Sequence, residues 1–530
     1  MRKRLPMRDR QPPVILTGSM RSTLSIRDRD RQPASTRTGD DWFGRLAVLA
    51  GTTVAIVLAT ALVMAFGVFD VKSRADPPLS LSVSIDVNHP GARVPRNFLG
   101  LSFEMSSLRQ IVSYAERGNL VRMLRSLGPG LLRFGGVSAD TEVAWTDART
   151  PLPSWSSKAL DVGEFRALRK LAARSGWHVL LTIGLAHYDP RAAAREAAAA
   201  KHALGRWLTG VELGNEPDAY ARHGLRSEPW TFSRYDLQVA AYRRAIHRVS
   251  PGLAIVGPDV SGSLIFESWG RGAALHDRPA LLTGHHYPLG CHTVPAPSVE
   301  RLLSLSIRGA EDASLHRYMA VSRRGALRFR LDEANSVSCG GKAGISDRFA
   351  SALWAVDYIA HAMVAGLAGI NLQGNPANCQ GYTPVCAPTR ETLARGELTA
   401  RPEWYALLLG KTLVGDRPLH AIVLPGNANI DVLAFMGEEK LRVLIVDDEP
   451  SASRHALVEL HVGSRFGDAT ALRLTAPSPS AATGVRLGGG AVQSLGTRRA
   501  PAQRSLEPKR AGVIALEVAP ASATLVTATP

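Results

Sequence analysis

The sequence has few cysteines, and no two of the four form a Cys-x-x-Cys pair. Two such pairs are the signature of a structural zinc site, so their absence argues against zinc. The sequence also lacks an internal repeat, any other spacing typical of metal ligands and any nucleic-acid recognition motif. We therefore expect a protein that needs no metal or cofactor and binds no nucleic acid.

Acidic residues are scarce relative to basic ones, since 46 Asp and Glu stand against 63 Lys and Arg, which gives a net charge of +17. Residues 1–45 hold eleven of the basic and five of the acidic residues, are rich in Pro, Ser and Thr, and show no apolar period. This composition predicts a disordered basic tail. The basic surface of the remaining chain either attracts an acidic polysaccharide or reflects an arginine- and alanine-rich genome.

Charged residues are entirely absent from residues 46–69, LAVLAGTTVAIVLATALVMAFGVF. Such a run can span about 30 Å of hydrocarbon, and the basic residues before it predict a cytoplasmic tail. We expect a membrane anchor, with residues 70–78 as a linker and the rest of the chain in the periplasm or outside the cell. A signal peptide has a shorter apolar core of about 7–15 residues. Cleavage would instead give a secreted protein.

A short apolar run ends at Asn215 and Glu216 within residues 208–218, LTGVELGNEPD. Its glycine and proline boundaries predict a buried strand with Glu216 at its C-terminal end. In a (β/α)8 barrel that end carries the catalytic side chains. An amide beside an acid can bind a sugar hydroxyl, as glycosidases that use two carboxylates require. The alternative is a surface glutamate at a strand end.

A second carboxylate, Glu333, ends another apolar run in residues 327–335, LRFRLDEAN. Two further strand patterns lie between the two glutamates, which places them after the fourth and seventh strands of a barrel. Strands of one barrel point such side chains into the same mouth. A separation of about 5–5.5 Å would predict a retaining mechanism, in which the two acids titrate apart.

Strand-like and helix-like segments alternate eight times, which predicts an α/β fold with a (β/α)8 TIM barrel over residues 94–412. Helix-like pieces include residues 190–208 and 235–249. After residue 413 the pattern changes to short alternating runs typical of a β-sandwich, over residues 413–530. The strand candidates of the barrel are FLGLSFEMS from Phe98, GLLRFGG from Gly130, HVLLTIGLA from His178, VELGNEP from Val211, LAIVGPDV from Leu253, LLTGHHYP from Leu281, RFRLDEAN from Arg328 and LAGINLQG from Leu367.

Five stretches, in order, resemble the heparanase and β-glucuronidase family, glycoside hydrolase family 79, in the clan of retaining barrel glycosidases. The resemblance covers the chain from about residue 79 to the C terminus. It implies that Glu216 is the general acid/base and Glu333 the nucleophile. It also implies that residues 79–93, which begin with the alternating LSLSVSIDV, add a strand to the β-sandwich domain. The stretches are LLRFGGVSAD from Leu131, GVELGNEPD from Gly210, TGHHYP from Thr283, DEANSVSCGGKAGISDRFASALWA from Asp332 and PEWYALLLGKTLVG from Pro402.

The same resemblance implies roles for residues that bind or orient the substrate. Arg133 matches an arginine beside the nucleophile, where a cation lowers the pKa of a carboxylate; a structural ion pair is the alternative. Tyr287 matches a tyrosine that contacts the nucleophile, with His285 near it, although both also suit core packing. Glu104 matches an acid that holds a hydroxyl of the terminal sugar, or it is a solvated acid. Tyr382 matches a tyrosine that contacts the uronate carboxylate.

The glycine-rich turn Cys339-Gly340-Gly341 can offer backbone N–H groups to an anion. The chain departs from the family at Ser338, where heparanase-like members have a tyrosine five residues after the nucleophile. Binding of the uronate would then depend on Tyr382 and these amides. A substituted uronate, such as a 4-O-methyl one, or another sugar is the alternative.

All four cysteines fall in predicted loops at the C-terminal face of the barrel. An even number on the exported side favours disulfides, and three pairings are possible. We expect Cys291–Cys339, between the sixth and seventh loops, and Cys379–Cys386, within the eighth loop.

These features predict a retaining β-glycoside hydrolase that acts on glucuronic-acid-containing glycosides, oligosaccharides or polysaccharides. Among these we expect an exo-β-glucuronidase. An endo-acting, heparanase-like hydrolase would need an open cleft instead of a pocket. A catalytically silent, membrane-anchored polysaccharide-binding protein is the alternative outside enzymes, since one fold hosts many functions.

Overall fold

The computed structural model describes residues 78–149, 151–492 and 502–530. The predicted basic tail, membrane anchor and, except for its last residue, linker lie outside these ranges. Within the described ranges, no helix has the length and apolar character needed to cross a membrane.

Eight parallel strands with helices between them form the first half of the described chain. In the sheet their order is four, three, two, one, eight, seven, six, five, and a parallel bridge from Val211 to Ile255 brings the fourth strand beside the fifth. The sheet therefore closes as a barrel, and seven of the eight predicted segments contain one of its strands, while the segment from Val211 overlaps the second half of the fourth strand. The strands are Leu99–Glu104, Leu131–Gly135, His178–Ile183, Leu208–Leu213, Gly257–Val260, Leu282–His286, Phe329–Ala334 and Gly369–Gln373.

The outer helices begin and end where the local sequence requires it. Asp161 accepts a hydrogen bond from the N–H of Gly163 and caps Val162–Ser175, and Gly176 ends that helix in the left-handed region at φ 80°. The α-helices of the barrel are Leu108–Ser113, Leu120–Leu127, Ser138–Thr141, Val162–Ser175, Pro190–Leu204, Phe232–Val249, Ser263–His276, Val299–Leu302, Leu305–Gly325, Phe349–Ala365, Arg390–Arg395 and Pro402–Gly410. Short 3-10 turns lie at Met105–Ser107, Gly205–Trp207, Pro217–Ala219 and Lys411–Leu413.

A curled sheet of eleven strands forms the second half. The strand Leu79–Asp86 lies in it between Arg417–Leu424, to which it is antiparallel, and Ala456–His461, to which it is parallel. The N-terminal strand thus joins the C-terminal sheet, as the resemblance implied. The other strands of this sheet are Ile430–Met436, Leu441–Asp447, Asp468–Thr475, Arg486–Leu487, Arg504–Leu506, Pro508–Arg510, Val513–Val518 and Ser522–Thr529. Two small sheets pair Val143–Trp145 with Lys158–Leu160 and Val385–Cys386 with Thr399–Ala400.

The two halves share one hydrophobic core. The helix Phe349–Ala365 is buried along almost its whole length, because it contacts barrel strands and helices as well as strands of the curled sheet. A second cluster fills the interior of the curled sheet, where Leu81 and Val83 alternate with exposed serines. This continuous packing holds the barrel and the sheet in a fixed relation.

Both predicted disulfides are present, which confirms the expected pairing. Cys291–Cys339 joins the loops after the sixth and seventh strands. Cys379–Cys386 closes a short segment of the loop after the eighth strand. The three loops lie at the C-terminal ends of neighbouring strands, so the two bonds restrain one side of the barrel mouth.

Candidate active site

Arg133, in the second strand, is completely buried, and acids surround its guanidinium. Its Nη1 donates to Glu333 Oε2, its Nη2 to Asp259 Oδ2 and its Nε to Glu212 Oε2, each at 2.8 Å. Burial opposes the charge, but Asp259 and Glu212 outweigh it and hold the pKa of Arg133 well above its ordinary value. Arg133 is therefore a fixed cation that orients carboxylates from three strands.

Glu333 lies at the end of the seventh strand, and both of its carboxylate oxygens accept hydrogen bonds. Oε2 accepts from Arg133, and Oε1 accepts from the hydroxyl of Tyr287 at 2.7 Å. Burial and the charge of Glu333 raise the pKa of Tyr287 well above its ordinary value, so Tyr287 remains a donor. The two donors hold the carboxylate in one orientation while 9% of its side chain stays exposed.

Glu216 lies in the turn after the fourth strand and adopts a left-handed backbone conformation, with φ at 46°. Few residues other than glycine adopt this region, and those that do concentrate at functional sites. The N–H of Glu216 donates to the carbonyl of Asp259 at 2.9 Å, which holds the turn. Its side chain is 27% exposed and reaches the barrel mouth.

His285 connects the two glutamates. Its Nδ1 lies 2.9 Å from Glu216 Oε1 and 3.9 Å from Glu333 Oε1, and its Nε2 lies 2.9 Å from Asp259 Oδ1. The two glutamate oxygens cannot be farther apart than the sum of the first two distances. This upper limit lies close to the lower end of the roughly 6.5–9.5 Å range of carboxyl separations in inverting glycosidases. The shorter carboxyl separation of retaining glycosidases lies within the limit.

The pKa of Glu216 differs from that expected of a general acid. Burial raises it, but the hydrogen bond from His285 and its charge outweigh burial, so the pKa of Glu216 lies below its ordinary value. Burial likewise opposes a charge on His285, yet Glu333 and Asp259 hold its pKa well above the ordinary value. The two residues thus form an imidazolium–carboxylate pair that shares one proton.

Asn215 is held from both sides. Its Oδ1 accepts from Nη2 of Arg133 at 2.9 Å, and its N–H donates to Asp140 at 2.8 Å. Asp140 is buried and also accepts from the hydroxyl of Tyr220 at 2.7 Å. These contacts orient the side-chain Nδ2 of Asn215 as the group that can donate to a sugar hydroxyl.

Glu104 and Tyr382 lie on the other side of the mouth. Glu104 accepts from the N–H of Ser138 at 3.0 Å and from the Ser138 hydroxyl, and burial, followed by the charge of Glu333, raises its pKa. The ring of Tyr382 stacks on Tyr287 with the centroids 5.7 Å apart, and their hydroxyl oxygens are 3.3 Å apart. The structure thus brings both residues to the predicted nucleophile.

The turn Cys339-Gly340-Gly341 has positive φ at all three residues. Its last amide is not available to a ligand, because the N–H of Gly341 donates to the Ser338 carbonyl at 3.3 Å. The prediction of three free amides is therefore wrong at Gly341, where the turn closes on itself. A Cβ on Gly341 would also overlap the backbone nitrogen of Tyr382, so this position requires glycine. For the amides of Cys339 and Gly340, anion binding stays a prediction.

Ser338 forms hydrogen bonds to the protein backbone. Its Oγ accepts from the N–H of Cys291 at 3.0 Å, and its N–H donates to the Leu289 carbonyl at 3.0 Å. Where the family has a tyrosine, this chain uses the serine, together with the adjacent disulfide, to join the sixth and seventh loops.

Three acids of this site were not predicted, namely Glu212, Asp259 and Asp332. Burial and the charge of Asp259 raise the pKa of Asp332 well above its ordinary value. A signal was present for two of them, because Glu212 stands in a mostly apolar strand and Asp259 directly follows Gly257 and Pro258. Asp332 shares its strand with Arg330 and Glu333, so the sequence gives no such signal there. A buried acid needs a partner.

No family model matches the chain. By sequence it is similar to a β-glucuronidase of Aspergillus niger, with 26% identity over 273 residues, which are 47% of this chain and 49% of the relative. The chain thus matches about half the length of this curated relative.

Solved structures to which the fold is similar include glycoside hydrolases. A 4-O-α-L-rhamnosyl-β-D-glucuronidase from Fusarium oxysporum 12S has a TM-score of 0.67 at 17% identity, over 85% of this chain and 100% of that one. A GH51 arabinofuranosidase from Xanthomonas axonopodis pv. citri has a TM-score of 0.60 at 13% identity, with the same coverage. The fold is therefore that of the barrel glycoside hydrolases. Within that class, the sequence similarity to a β-glucuronidase confirms the predicted resemblance.

Proposed function

We propose that the protein is a retaining β-glucuronidase of glycoside hydrolase family 79 that removes terminal glucuronic acid from glycosides. One observation carries the proposal: glutamates from the C-terminal ends of the fourth and seventh strands lie 2.9 and 3.9 Å from the same nitrogen of His285. Arg133 and Tyr287 hold one of these glutamates as an oriented carboxylate. This arrangement supports two different roles for the two acids.

In the first step, a carboxylate oxygen of Glu333 attacks the anomeric carbon, and Glu216 gives a proton to the leaving oxygen. The proton that His285 shares with Glu216 supplies this transfer. The bond to the leaving group breaks, and a covalent glycosyl–Glu333 intermediate forms. In the second step, Glu216 takes a proton from water, the water attacks the anomeric carbon, and Glu333 is released.

The uronate specificity would come from the side of the mouth restrained by the disulfides. The Tyr382 hydroxyl and the amides of Cys339 and Gly340 would bind the carboxylate through charge-assisted hydrogen bonds. Ser338 replaces the larger tyrosine of heparanase-like members, which leaves room for a substituent on the uronate. Asn215 and Glu104 would hold hydroxyls of the same sugar.

The test compares aryl β-glucuronide with the matching aryl β-glucoside, because the two sugars differ only at carbon six. We expect the glucuronide to be preferred by about tenfold or more in kcat/KM, since each charge-assisted bond contributes roughly 1.5–3 kcal/mol. Proton NMR of the first product should show the β anomer. Equal rates would reject the uronate assignment, whereas an α product would reject the retaining mechanism.

We also propose that the catalytic part lies outside the cytoplasm, held by residues 46–69. The two disulfides support an oxidising compartment. Protease added to spheroplasts should digest the barrel. Protection of the barrel would reverse this topology, and a mature N terminus near residue 68 would show a cleaved signal peptide instead.

A further inference from the structure

A cluster of two aspartates and one histidine lies where barrel helices meet the curled sheet, and the proposed reaction uses none of the three. Asp357 and His361 stand one turn apart on the helix Phe349–Ala365, and Asp431 lies on the strand Ile430–Met436. One oxygen of each aspartate and one ring nitrogen of His361 all lie within 4.8 Å of one another. Carboxylate oxygen and imidazole nitrogen are donors that zinc takes in proteins.

Asp357 points an oxygen without a partner towards the histidine. Its side chain is only 9% exposed, and its Oδ1 has no hydrogen bond in the part of the chain that the structure describes. This oxygen lies 3.7 Å from Nε2 of His361, which is too far for a hydrogen bond. A buried carboxylate oxygen without a donor is costly, so a cation that binds it would stabilise the site.

The neighbouring arginine does not supply the missing partner. Nε of Arg308 donates to the other oxygen of Asp357, Oδ2, at 2.9 Å. Its Nη1 and Nη2 donate to Asn429 and Asp448 at 3.0 and 2.6 Å. Each guanidinium nitrogen thus has an oxygen of its own, and none of these bonds reaches Oδ1 of Asp357.

The other two donor groups are also held in place from behind. Nδ1 of His361 lies 2.9 Å from Asp312, and Oδ1 of Asp431 accepts from the N–H of Val432 at 2.8 Å. The remaining atoms, Nε2 of His361 and Oδ2 of Asp431, contact each other. A histidine that binds a metal through one ring nitrogen usually donates its other N–H to a carboxylate or carbonyl, which fixes the ring. Every donor of the cluster is thus oriented by a partner outside it.

The donor set fits zinc better than calcium or magnesium. Calcium takes about six to eight oxygens, and magnesium needs near-octahedral geometry with oxygen ligands. Zinc is bound by four ligands and accepts nitrogen and oxygen together, so one imidazole and two carboxylates leave a single position for water. The side chains of Asp312 and Asp431 are 43% and 21% exposed, which gives water and an ion access from one side.

We propose that Asp357, His361 and Asp431 bind one Zn²⁺ ion, which joins the barrel to the curled sheet. The ion would take the place of the proton that lies between Nε2 of His361 and Asp431. The role of this ion is structural and is independent of the proposed hydrolysis. The sequence gave no sign of the site, because metal-ligand spacings are local and His361 lies 70 residues from Asp431.

Calorimetric titration with zinc chloride tests the site in the full chain, after EDTA has been used to remove bound metal and has itself been removed. We expect the wild type to bind zinc and His361→Gln to lose this binding, because the imidazole is gone. Asp312→Asn should weaken binding by about 10–100-fold, as loss of the partner behind a metal-binding histidine does. Equal affinity in the wild type and His361→Gln would overturn the site.

His276→Gln is the matched control. Nδ1 of His276 lies 3.0 Å from Asp236 in an exposed pair with a single carboxylate. The change should leave the zinc affinity within about twofold of the wild type, as is usual for a surface substitution. An equal loss of binding in His276→Gln and His361→Gln would overturn the site, because it would show that zinc binds histidines without selection.

Thermal unfolding provides a second measurement. Zinc should raise the unfolding midpoint of the wild type, because an ion that binds the folded chain stabilises it. Asp431→Asn keeps the size of the side chain and should show no such rise, and it replaces His361→Gln if that variant does not fold. A midpoint of the wild type that zinc leaves unchanged would overturn the site.

Anomalous diffraction at the zinc absorption edge needs no variant. Crystals of the wild type soaked in zinc chloride should show a peak between Asp357, His361 and Asp431, at about 2.0–2.2 Å from the donor atoms. Absence of a peak at this position would overturn the site, including where zinc binds elsewhere on the protein.

Discussion

Two buried charge networks occupy different places in the molecule, although they use the same residue types. The first surrounds Arg133 and His285 at the barrel mouth. The second surrounds Arg308 and His361, where barrel helices meet the curled sheet. We call them the mouth network and the junction network.

In the junction network, Nε of Arg308 lies 2.9 Å from Asp357 and its Nη2 lies 2.6 Å from Asp448. His361 bonds to Asp312 at 2.9 Å and to Asp431. These residues come from two barrel helices and from the curled sheet, so the network joins the two halves.

The comparison shows that buried, perturbed acids do not by themselves identify a catalytic site. Burial, ahead of the charges around it, raises the pKa of Asp357 to about 6, a shift also found at catalytic carboxyls. What distinguishes the mouth network is its position at the C-terminal ends of the barrel strands, where Glu216 and Glu333 lie near one nitrogen of His285.

The largest expected effect is on turnover. Glu333→Gln should lower kcat by roughly 10⁴-fold or more, because loss of a nucleophile removes the covalent step. Glu216→Gln should cost roughly 10²–10⁴-fold, as loss of a general acid does. An activated aryl leaving group should partly rescue only the second variant, since it needs less protonation.

The matched control is Asp357→Asn in the junction network. It should lower the midpoint of thermal unfolding and leave kcat of the folded enzyme within about twofold. Normal turnover in Glu333→Gln, or a large loss in Asp357→Asn, would reverse the distinction between the two networks.

The next effect is on stability. Arg133→Met and Arg308→Met should each lower the free energy of unfolding by roughly 3–5 kcal/mol, because each leaves buried carboxylates without their cation. Urea denaturation measures this loss. Only Arg133→Met should also reduce kcat of the protein that remains folded, and comparable activity in the two variants would contradict the role of Arg133 in orienting Glu333.

A third effect concerns an acid in neither network. Glu403 is completely buried, accepts a hydrogen bond from Asn335 at 3.2 Å, and has its pKa raised by burial to about 8. This pKa is higher than the pKa of the same glutamate in the unfolded chain. Glu403 therefore stabilises the folded protein at low pH, and this contribution to the free energy of unfolding is lost as the pH rises through about 8. The free energy of unfolding of the wild type should fall between pH 5 and pH 8. Glu403→Gln should make this slope less steep by up to about 1.4 kcal/mol per pH unit. An unchanged slope in urea denaturation would reject the raised pKa.

The smallest effect is on specificity. Tyr382→Phe removes one hydroxyl near the proposed uronate site and should reduce the preference for aryl glucuronide over aryl glucoside by roughly tenfold. Hydrolysis of the glucoside should be unchanged. Equal losses for both sugars would show that Tyr382 positions Tyr287 and Glu333 instead of the carboxylate.

The barrel was predictable because its strands are short apolar runs bounded by glycine and proline, and each ends in a recognisable motif. Helix bounds were less exact. The predicted helix 190–208 ends at Leu204, because Gly205 begins a 3-10 turn, and the predicted helix 235–249 begins earlier, at Phe232. The local sequence therefore predicts where a helix lies more accurately than it predicts the first and last residues of that helix.

The contacts of the site were only partly predictable. Arg133 and Tyr287 were found because motifs carry them. Glu212 and Asp259 were not, since their role depends on which side chains meet across the barrel. The lowered pKa of Glu216 follows from His285, 69 residues away in the chain. Such an electrostatic effect depends on distance in space, and no local pattern encodes it.

The position of the strand Leu79–Asp86 also sets an order of events during synthesis. One neighbour, Arg417–Leu424, emerges from the ribosome only after the whole barrel, and the other, Ala456–His461, emerges later still. Synthesis proceeds at about 5–20 residues per second. At the slower of these rates, the strand remains without its two partner strands for on the order of a minute. Until then its backbone N–H and C=O groups are unpaired and prone to pairing with other chains. The nascent chain is therefore expected to depend on a chaperone during this interval, and ribosome-bound chains that end before residue 461 should be more prone to aggregation than those that contain it.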